Sequence, residues 1–255
     1  MSSRPFIFTS QDGIGRLTLN RKESYNAFDR SMMEAFEDFL KDRRHDHDTR
    51  VIILDGGEAK GFSAGLDTKT FLNEIMTMAP LDAYEAQVRL SRMFLGMRQI
   101  PQPIISCIHG SAAGIGFSLA MASDLRLMTP DARFSAAYIN IGLGGADMAS
   151  SYFLPRLIGA GRAYEFLLTG NWMDAETAMN IGLVSRVLLR EEMMAEAETL
   201  AQTMAAKYPM GLRMTKEALN VNLDCAGLEA ALNMEDRNQI MIAYTHQLNL
   251  AASGN

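Results

Sequence analysis

The 255 residues carry 24 Lys and Arg against 30 Asp and Glu, and 48% of them are hydrophobic. That composition supports a substantial core, and a net charge of −6 without a Lys/Arg cluster argues against nucleic acid or an anionic membrane as partner. The two cysteines, Cys107 and Cys225, lie far apart in apolar segments and read as reduced packing residues, which points to a cytoplasmic protein. No basic-then-apolar leader opens the chain, and no window reaches the ~18 apolar residues needed to span a bilayer.

In chain order, residues 6–9 and 15–19 read as short strands joined at Asp12-Gly13. A helix follows, capped by Asp29 or Ser31, with Met33, Phe36 and Leu40 on one face. "VIILDGG" (51–57) is a buried strand, and a loop spans 57–69. An amphipathic helix near 81–98 carries Tyr84, Val88, Ser91 and Leu95 on one face, and Pro101 and Pro103 end it before a strand at 104–108. "SDLRLM" and "ARFSA" are short strands, 149–169 and 174–180 are helical, and "GLVSRVL" is the last strand. Beyond it come helices, with Met193, Ala197, Leu200 and Met204 at helical spacing, then segments near 209–222 and 227–245. Residues 1–190 therefore form a mixed α/β core and residues 191–255 a helical region.

Three motifs invite chemistry. "HDH" (45–47) sits among alternating charges in "KDRRHDHDTR" and reads as a solvated helix end, so no metal is expected. "GFSAG" (61–65) matches G-x-S-x-G, with Ser63 as nucleophile and His246 as its base, but the strand ends several residues too early for a nucleophile elbow. "GIGFSL" (114–119) begins like a dinucleotide fingerprint, yet Leu119 stands at the third glycine and no acidic partner follows. Read together, the two Gly/Ala loops direct main-chain N–H groups into one cavity, the arrangement a developing enolate or tetrahedral oxyanion requires.

Five stretches in order, "NRKESYNAFD" (20–29), "GFSAGLDTK" (61–69), "PQPIISCIHGSAAGIGFSLAMASDLRL" (101–127), "ARFSAAYINIGLGGADMASSYFLPRLIG" (132–159) and "LLTGNWMDAETAMNIGLVSRV" (167–187), resemble the enoyl-CoA hydratase/isomerase, or crotonase, superfamily. The resemblance implies an α/β spiral of ββα units with a C-terminal helical trimerisation region, assembled as a homotrimer or dimer of trimers. It implies an acyl-CoA thioester as ligand, with CoA part of the substrate and no separate cofactor. The thioester oxygen then falls to the amides of Leu66 and Ile115. Lys22 or Arg21 replaces the lysine common where Glu23 stands, and Ser24, Ala27, Ala64, Asp67, Thr68, Gly114 and Ile141 complete the substrate-binding set. Asp67 reads equally as a carboxylate that structures its own loop.

At the acid/base positions the chain departs from the hydratase pattern of two glutamates, since Ser118 and Tyr138 align there. Asp147, in the loop where isomerase-like members carry an acid, is the remaining carboxylate, with the alternative of capping the next helix. The expectation is therefore enoyl-CoA isomerase-type proton transfer by Asp147. Hydration, with Tyr138 or Ser118 positioning water, thioester hydrolysis and acyl-CoA binding without turnover stand as alternatives.

Overall fold

A computed structural model describes residues 4–252. Strands β1 (Phe6–Gln11) and β2 (Ile14–Leu19) form an antiparallel hairpin. Its two turn residues, Asp12 and Gly13, both have positive φ, 52° and 80°, the conformation that matches strand twist in a tight hairpin. Helix α1 (Arg30–Arg44) starts at Asp29, whose carboxylate accepts from the Met32 N–H at 2.9 Å, while Ser31 donates to that same cap. Met33, Phe36 and Leu40 are buried on one face as their spacing requires.

After β3 (Val51–Asp55) the chain makes three successive turns of one spiral. The first is β3, a bridge at Ser63, then α2 (Phe71–Thr77) and α3 (Pro80–Gln99). The second is β4 (Ile104–Ile108), β5 (Ser111–Ala113) and α4 (Ile115–Ala122). The third is β6 (Leu125–Met128), β7 (Arg133–Ser135), α5 (Ser150–Ile158) and α6 (Ala160–Thr169). A final β8 (Met173–Asp174), α7 (Ala175–Asn180) and β9 (Arg186–Val187) close the arrangement. The first strand of each turn enters a six-stranded sheet ordered β1-β2-β3-β4-β6-β9, parallel except for its hairpin edge. The second strands stack separately: Ser63 bridges Ala112 in β5, and β5 pairs with β7, which pairs with β8. This is the ββα spiral that the resemblance implies.

Burial on both faces explains why β3 and β4 read as unbroken apolar runs. One face meets α1, α3 and α4; on the other, Met193, Ala197 and Ala201 of α8 (Arg190–Ala205) pack against Val51, Ile53, Ile105 and Leu127. Helix α9 (Pro209–Asn222) is pinned by Lys216, buried and bonded to Asp124 at 2.9 Å and to the carbonyls of Met97 and Gln102. Helix α10 (Leu228–Ala252) packs along α9 and buries none of its described residues.

Several local expectations change. The core side of α3 is Leu90, Met93, Phe94 and Met97, whereas Tyr84 and Leu95 are exposed, because the more apolar of two competing stripes takes the core. Helix α2 lies in a stretch with no sequence signal strong enough to predict it. The helical stretch 149–169 breaks at Gly159, where φ is +82°. "GLVSRVL" pairs only through Arg186 and Val187. Cys107 is buried as expected, its thiol pushed up to about 12 by burial, but Cys225 is half-buried in the turn between α9 and α10.

Candidate active site

The stacked second strands end side by side, so each turn of the spiral delivers its next residues to one place. Past Ser63 comes Gly65-Leu66, past Ala113 comes Gly114-Ile115, and past Ser135 comes Tyr138. Gly65 is obligatory here: its φ is +93°, and a Cβ would stand 2.7 Å from the Ala113 carbonyl and 3.3 Å from the Ile115 nitrogen.

Two main-chain amides border this junction. Phe28 bridges Leu66 by donating to the Gly65 carbonyl at 2.7 Å and accepting from the Asp67 N–H at 2.9 Å. Strand alternation then turns the Leu66 N–H to the opposite side. Ile115 is the first residue of α4, where helix geometry supplies no internal acceptor and the helix dipole adds positive potential. Among the described residues neither amide meets an acceptor. A pair of adjacent, unspent N–H donors is suited to an oxygen that gains negative charge.

The turn carrying Leu66 is stiffened from within. Ser63 is buried, its Oγ donating to the Asn26 carbonyl at 2.8 Å and accepting from the Gly65 N–H at 3.2 Å. Asn26, also buried and at positive φ, ties the same turn to the carbonyls of Gly56 and Phe62. Ser63 is therefore a buried bracing residue rather than an exposed nucleophile, in keeping with the poor nucleophile-elbow context of G-x-S-x-G. His246 packs at a tilt against Tyr208, with ring centroids 4.6 Å apart, in the α9–α10 pair.

Above Gly114 lies Tyr138, buried, its hydroxyl donating to the Gly114 carbonyl at 2.8 Å. Its only proton is thereby used, so Ser118 Oγ is the donor in the Ser118–Tyr138 bond. Burial pushes the Tyr138 hydroxyl far above the ordinary tyrosine range; the Ser118 bond opposes that rise and the nearby charge of Asp147 adds to it. Tyr138 is therefore a neutral donor.

Asp147 is half-buried in the loop before α5. Its Oδ1 accepts from Gln87 Nε2 of α3 at 2.7 Å and from the Met148 N–H at 2.8 Å, which leaves Oδ2 without a partner among the described residues. It does not cap α5, because Ala149 holds that position; the Asp147 backbone instead exchanges bonds with Ser150. Burial pushes its carboxyl above the ordinary aspartate range, and the Met148 and Gln87 bonds only partly offset the rise. Met148 and Ala149 both hold left-handed backbone, φ 49° and 64°, a conformation that costs non-glycine residues energy and marks sites where geometry is imposed by the surroundings. Gln87 carries no motif and lies sixty positions away in the chain, so sequence reasoning missed it.

The remaining candidates divide into exposed residues and residues tied to their own loops. Arg21 is drawn inward, paired with Asp29 at 2.8 Å and Asp67 at 3.7 Å and donating to the Ala27 carbonyl, so of the two cations Lys22 alone stays exposed, loosely paired with Glu58. Ser24 donates to the Arg21 carbonyl, and Ala27 is buried beneath it. Asp67 accepts from the Thr70 N–H; burial raises its carboxyl, but the Thr70 bonds and Arg21 outweigh this and hold it below the usual range. Ala64, Thr68 and Ile141 are exposed, and the Ala64 N–H is spent on the Tyr25 carbonyl at 2.9 Å. A groove of about 810 Å³ between α3, α5 and α9, lined by Leu95, Arg98, Tyr152 and Lys216, shares no residue with the glycine turns. Neither the unspent amides nor the Asp147 carboxylate lines it.

Among the described residues no group of three or more His, Cys, Asp or Glu is placed to hold a metal ion, and no helix is long and apolar enough to cross a membrane. The family model described as enoyl-CoA hydratase/isomerase matches residues 9–251. A Mycobacterium bovis protein named probable enoyl-CoA hydratase is 36% identical over 232 residues, 90% of this chain and 81% of that protein. A solved probable enoyl-CoA hydratase/isomerase from Mycobacterium abscessus superposes with a TM-score of 0.85 at 34% identity, covering 93% of this chain and 89% of that one. A solved structure titled a monofunctional enoyl CoA isomerase from M. smegmatis superposes at 0.76 with 35% identity, covering 90% and 99%.

Proposed function

The chain belongs to the enoyl-CoA hydratase/isomerase family and has the crotonase fold, and from that premise we propose that it moves a double bond within an acyl-CoA thioester by single-base proton transfer. The thioester oxygen lies between the Leu66 and Ile115 amides. Asp147 Oδ2 removes a proton from the acyl chain, the electron pair moves to the thioester oxygen as an enolate, and the same carboxyl returns the proton at another carbon. One base suffices for that cycle, whereas addition of water requires a held and activated water as well.

The observation that carries the reading is the state of Asp147: half-buried, raised in pKa, fixed through Oδ1 and unpartnered at Oδ2. A carboxyl shifted towards neutrality is a better match to a proton that leaves and returns. Ser118 and Tyr138, which the resemblance aligns with the hydratase glutamates, are bonded to each other and to Gly114. Hydratase is the name of the M. bovis relative and remains the competing activity. CoA enters as part of the substrate, and neither a metal ion nor a nicotinamide takes part in the proposed cycle. The reading also includes assembly as a homotrimer or dimer of trimers, supported by the exposed apolar side chains of α10, Ile240, Tyr244 and Leu248 among them.

Incubation of the enzyme with trans-3-hexenoyl-CoA in deuterated water tests the reaction. The 2-enoyl isomer is expected, with solvent deuterium entering only to the extent that the Asp147 carboxyl exchanges before it returns the proton; hydration of crotonyl-CoA without any isomerisation of the 3-enoyl thioester would overturn it.

A further inference from the structure

The peptide between Gly114 and Ile115 is held at two points on its carbonyl, and the peptide before it is held at one. The Gly114 N–H donates to the Ser135 carbonyl at 3.0 Å, and the Gly114 carbonyl accepts both the Ser118 N–H at 3.0 Å and the Tyr138 hydroxyl at 2.8 Å. The ring of Tyr138 lies against Gly114, close enough that a Cβ on the glycine would stand 3.5 Å from Cε1. A trans peptide is planar, with its C=O and N–H pointing in opposite directions, so whatever fixes the carbonyl of Gly114 also aims the N–H of Ile115. A hydrogen bond to the carbonyl further polarises the amide, and the Ser118-to-Tyr138-to-Gly114 relay runs in one direction through buried groups, where such bonds reinforce one another.

We infer that Tyr138, supported by Ser118, is a positioning residue that aims and polarises the Ile115 amide at the thioester oxygen, in place of any acid/base or water-holding duty at these two positions. The inference rests on the enolate-forming reaction proposed above. It assigns a use to a buried phenol whose proton is spent on main chain, and to the serine that is bonded to it. Tyr138 acts through the peptide and not on the substrate.

The test is Tyr138→Phe, which removes one hydroxyl and keeps the ring. Hexanoyl-CoA labelled with ¹³C at the thioester carbonyl serves as a probe that has no double bond to move. In the parent, the bound carbonyl stretch is expected at lower frequency than in water; in the variant it returns part of the way towards the free value. Turnover of trans-3-hexenoyl-CoA is expected to fall about tenfold, less than the ~10²–10³ of deleting an oxyanion donor outright, with hexanoyl-CoA affinity held within about twofold. Asp147→Asn should keep the full shift. An unchanged carbonyl band in folded Tyr138→Phe overturns the inference and leaves the role of Asp147 standing. No shift in the parent, or no binding of hexanoyl-CoA, overturns the oxyanion reading and this inference with it. If the Phe variant does not fold, Ser118→Ala carries the same test, with a smaller return of the band expected and an unchanged band overturning.

Discussion

Gln87 Nε2 donates to Asp147 Oδ1 at 2.7 Å, tying the middle of α3 to the loop that precedes α5. The bond favours the ionised carboxylate and, together with the Met148 N–H, occupies one oxygen so that the other is presented. Gln87→Leu should therefore lower kcat by about tenfold, by loss of orientation, and move the acid limb of the kcat/KM profile to higher pH. The sign follows from the chemistry: without its donor the carboxyl is harder to ionise, and only the ionised form accepts a proton. A pH profile that superimposes on the parent's removes Gln87 from the mechanism.

Asp147→Asn keeps an oxygen that can accept from Gln87 and Met148 but removes the base. Turnover should drop by ~10²–10⁴ while CoA-thioester affinity is retained through Leu66 and Ile115. Stability should move the other way. Because burial raises this carboxyl, the folded chain binds its proton more tightly than the unfolded chain does. That contribution is complete below the unfolded pKa and lost as pH rises through the folded value, so at neutral pH the carboxylate is a burden. The variant should melt above the parent near pH 7, with the gap closing towards about pH 4. Equal melting curves across that range, or turnover at parental level, would count against the assignment.

How much of this was legible in the sequence depends on how local each determinant is. The glycine turns carry their own signal, since Gly65 and Gly114 stand where backbone must approach backbone, and α9 is found at the expected 209–222. Periodicity fails where two stripes compete, as on α3, and where an element is as short as β9. The partners that tune the candidate site arrive from elsewhere in the chain: Gln87 reaches Asp147, Ser118 reaches Tyr138, and Arg21 turns to Asp67. Such pairings have no spacing rule, so only the fold reveals them.

Ser63→Ala distinguishes bracing from nucleophilic chemistry. The hydroxyl links Asn26 to Gly65 in the turn that carries the Leu66 amide, so its loss removes two buried hydrogen bonds. Stability should fall by about 1–3 kcal/mol, with activity reduced modestly rather than abolished. Complete loss of turnover in a folded variant, with a covalent acyl adduct on Ser63 in the parent, would restore the hydrolase reading.

Asp124 neutralises the buried cation that anchors α9. Its Oδ2 accepts from Lys216 at 2.9 Å and from the Ile104 N–H at 2.7 Å, and its Oδ1 from Arg98 at 3.1 Å. Asp124→Asn leaves Lys216 charged without its counter-ion and should cost about 3–5 kcal/mol, the usual consequence of breaking a buried pair from one side. Adding Lys216→Met should recover part of that loss, since the stranded charge is gone. Denaturant melts of the two single variants and the double variant measure the coupling; strict additivity would mean the pair is not interacting.

On α10, Ile240, Tyr244 and Leu248 recur every fourth residue and are 60%, 64% and 67% exposed. They lie off the side that packs on α9, where Thr245 meets Met210 and His246 packs against Tyr208. A 25-residue helix whose apolar stripe meets only water gains little from tertiary packing, and a repeated subunit is the simplest cover for it. Sedimentation at micromolar concentration should give a trimer or hexamer. Ile240→Asp together with Leu248→Asp should shift it towards monomer, because two charges would be buried without partners in the assembled form. The shift should be accompanied by a lower melting temperature that depends on protein concentration in the parent and not in the variant. A parent that sediments as a stable monomer, with melting independent of concentration, would show that α10 stands uncovered in solution.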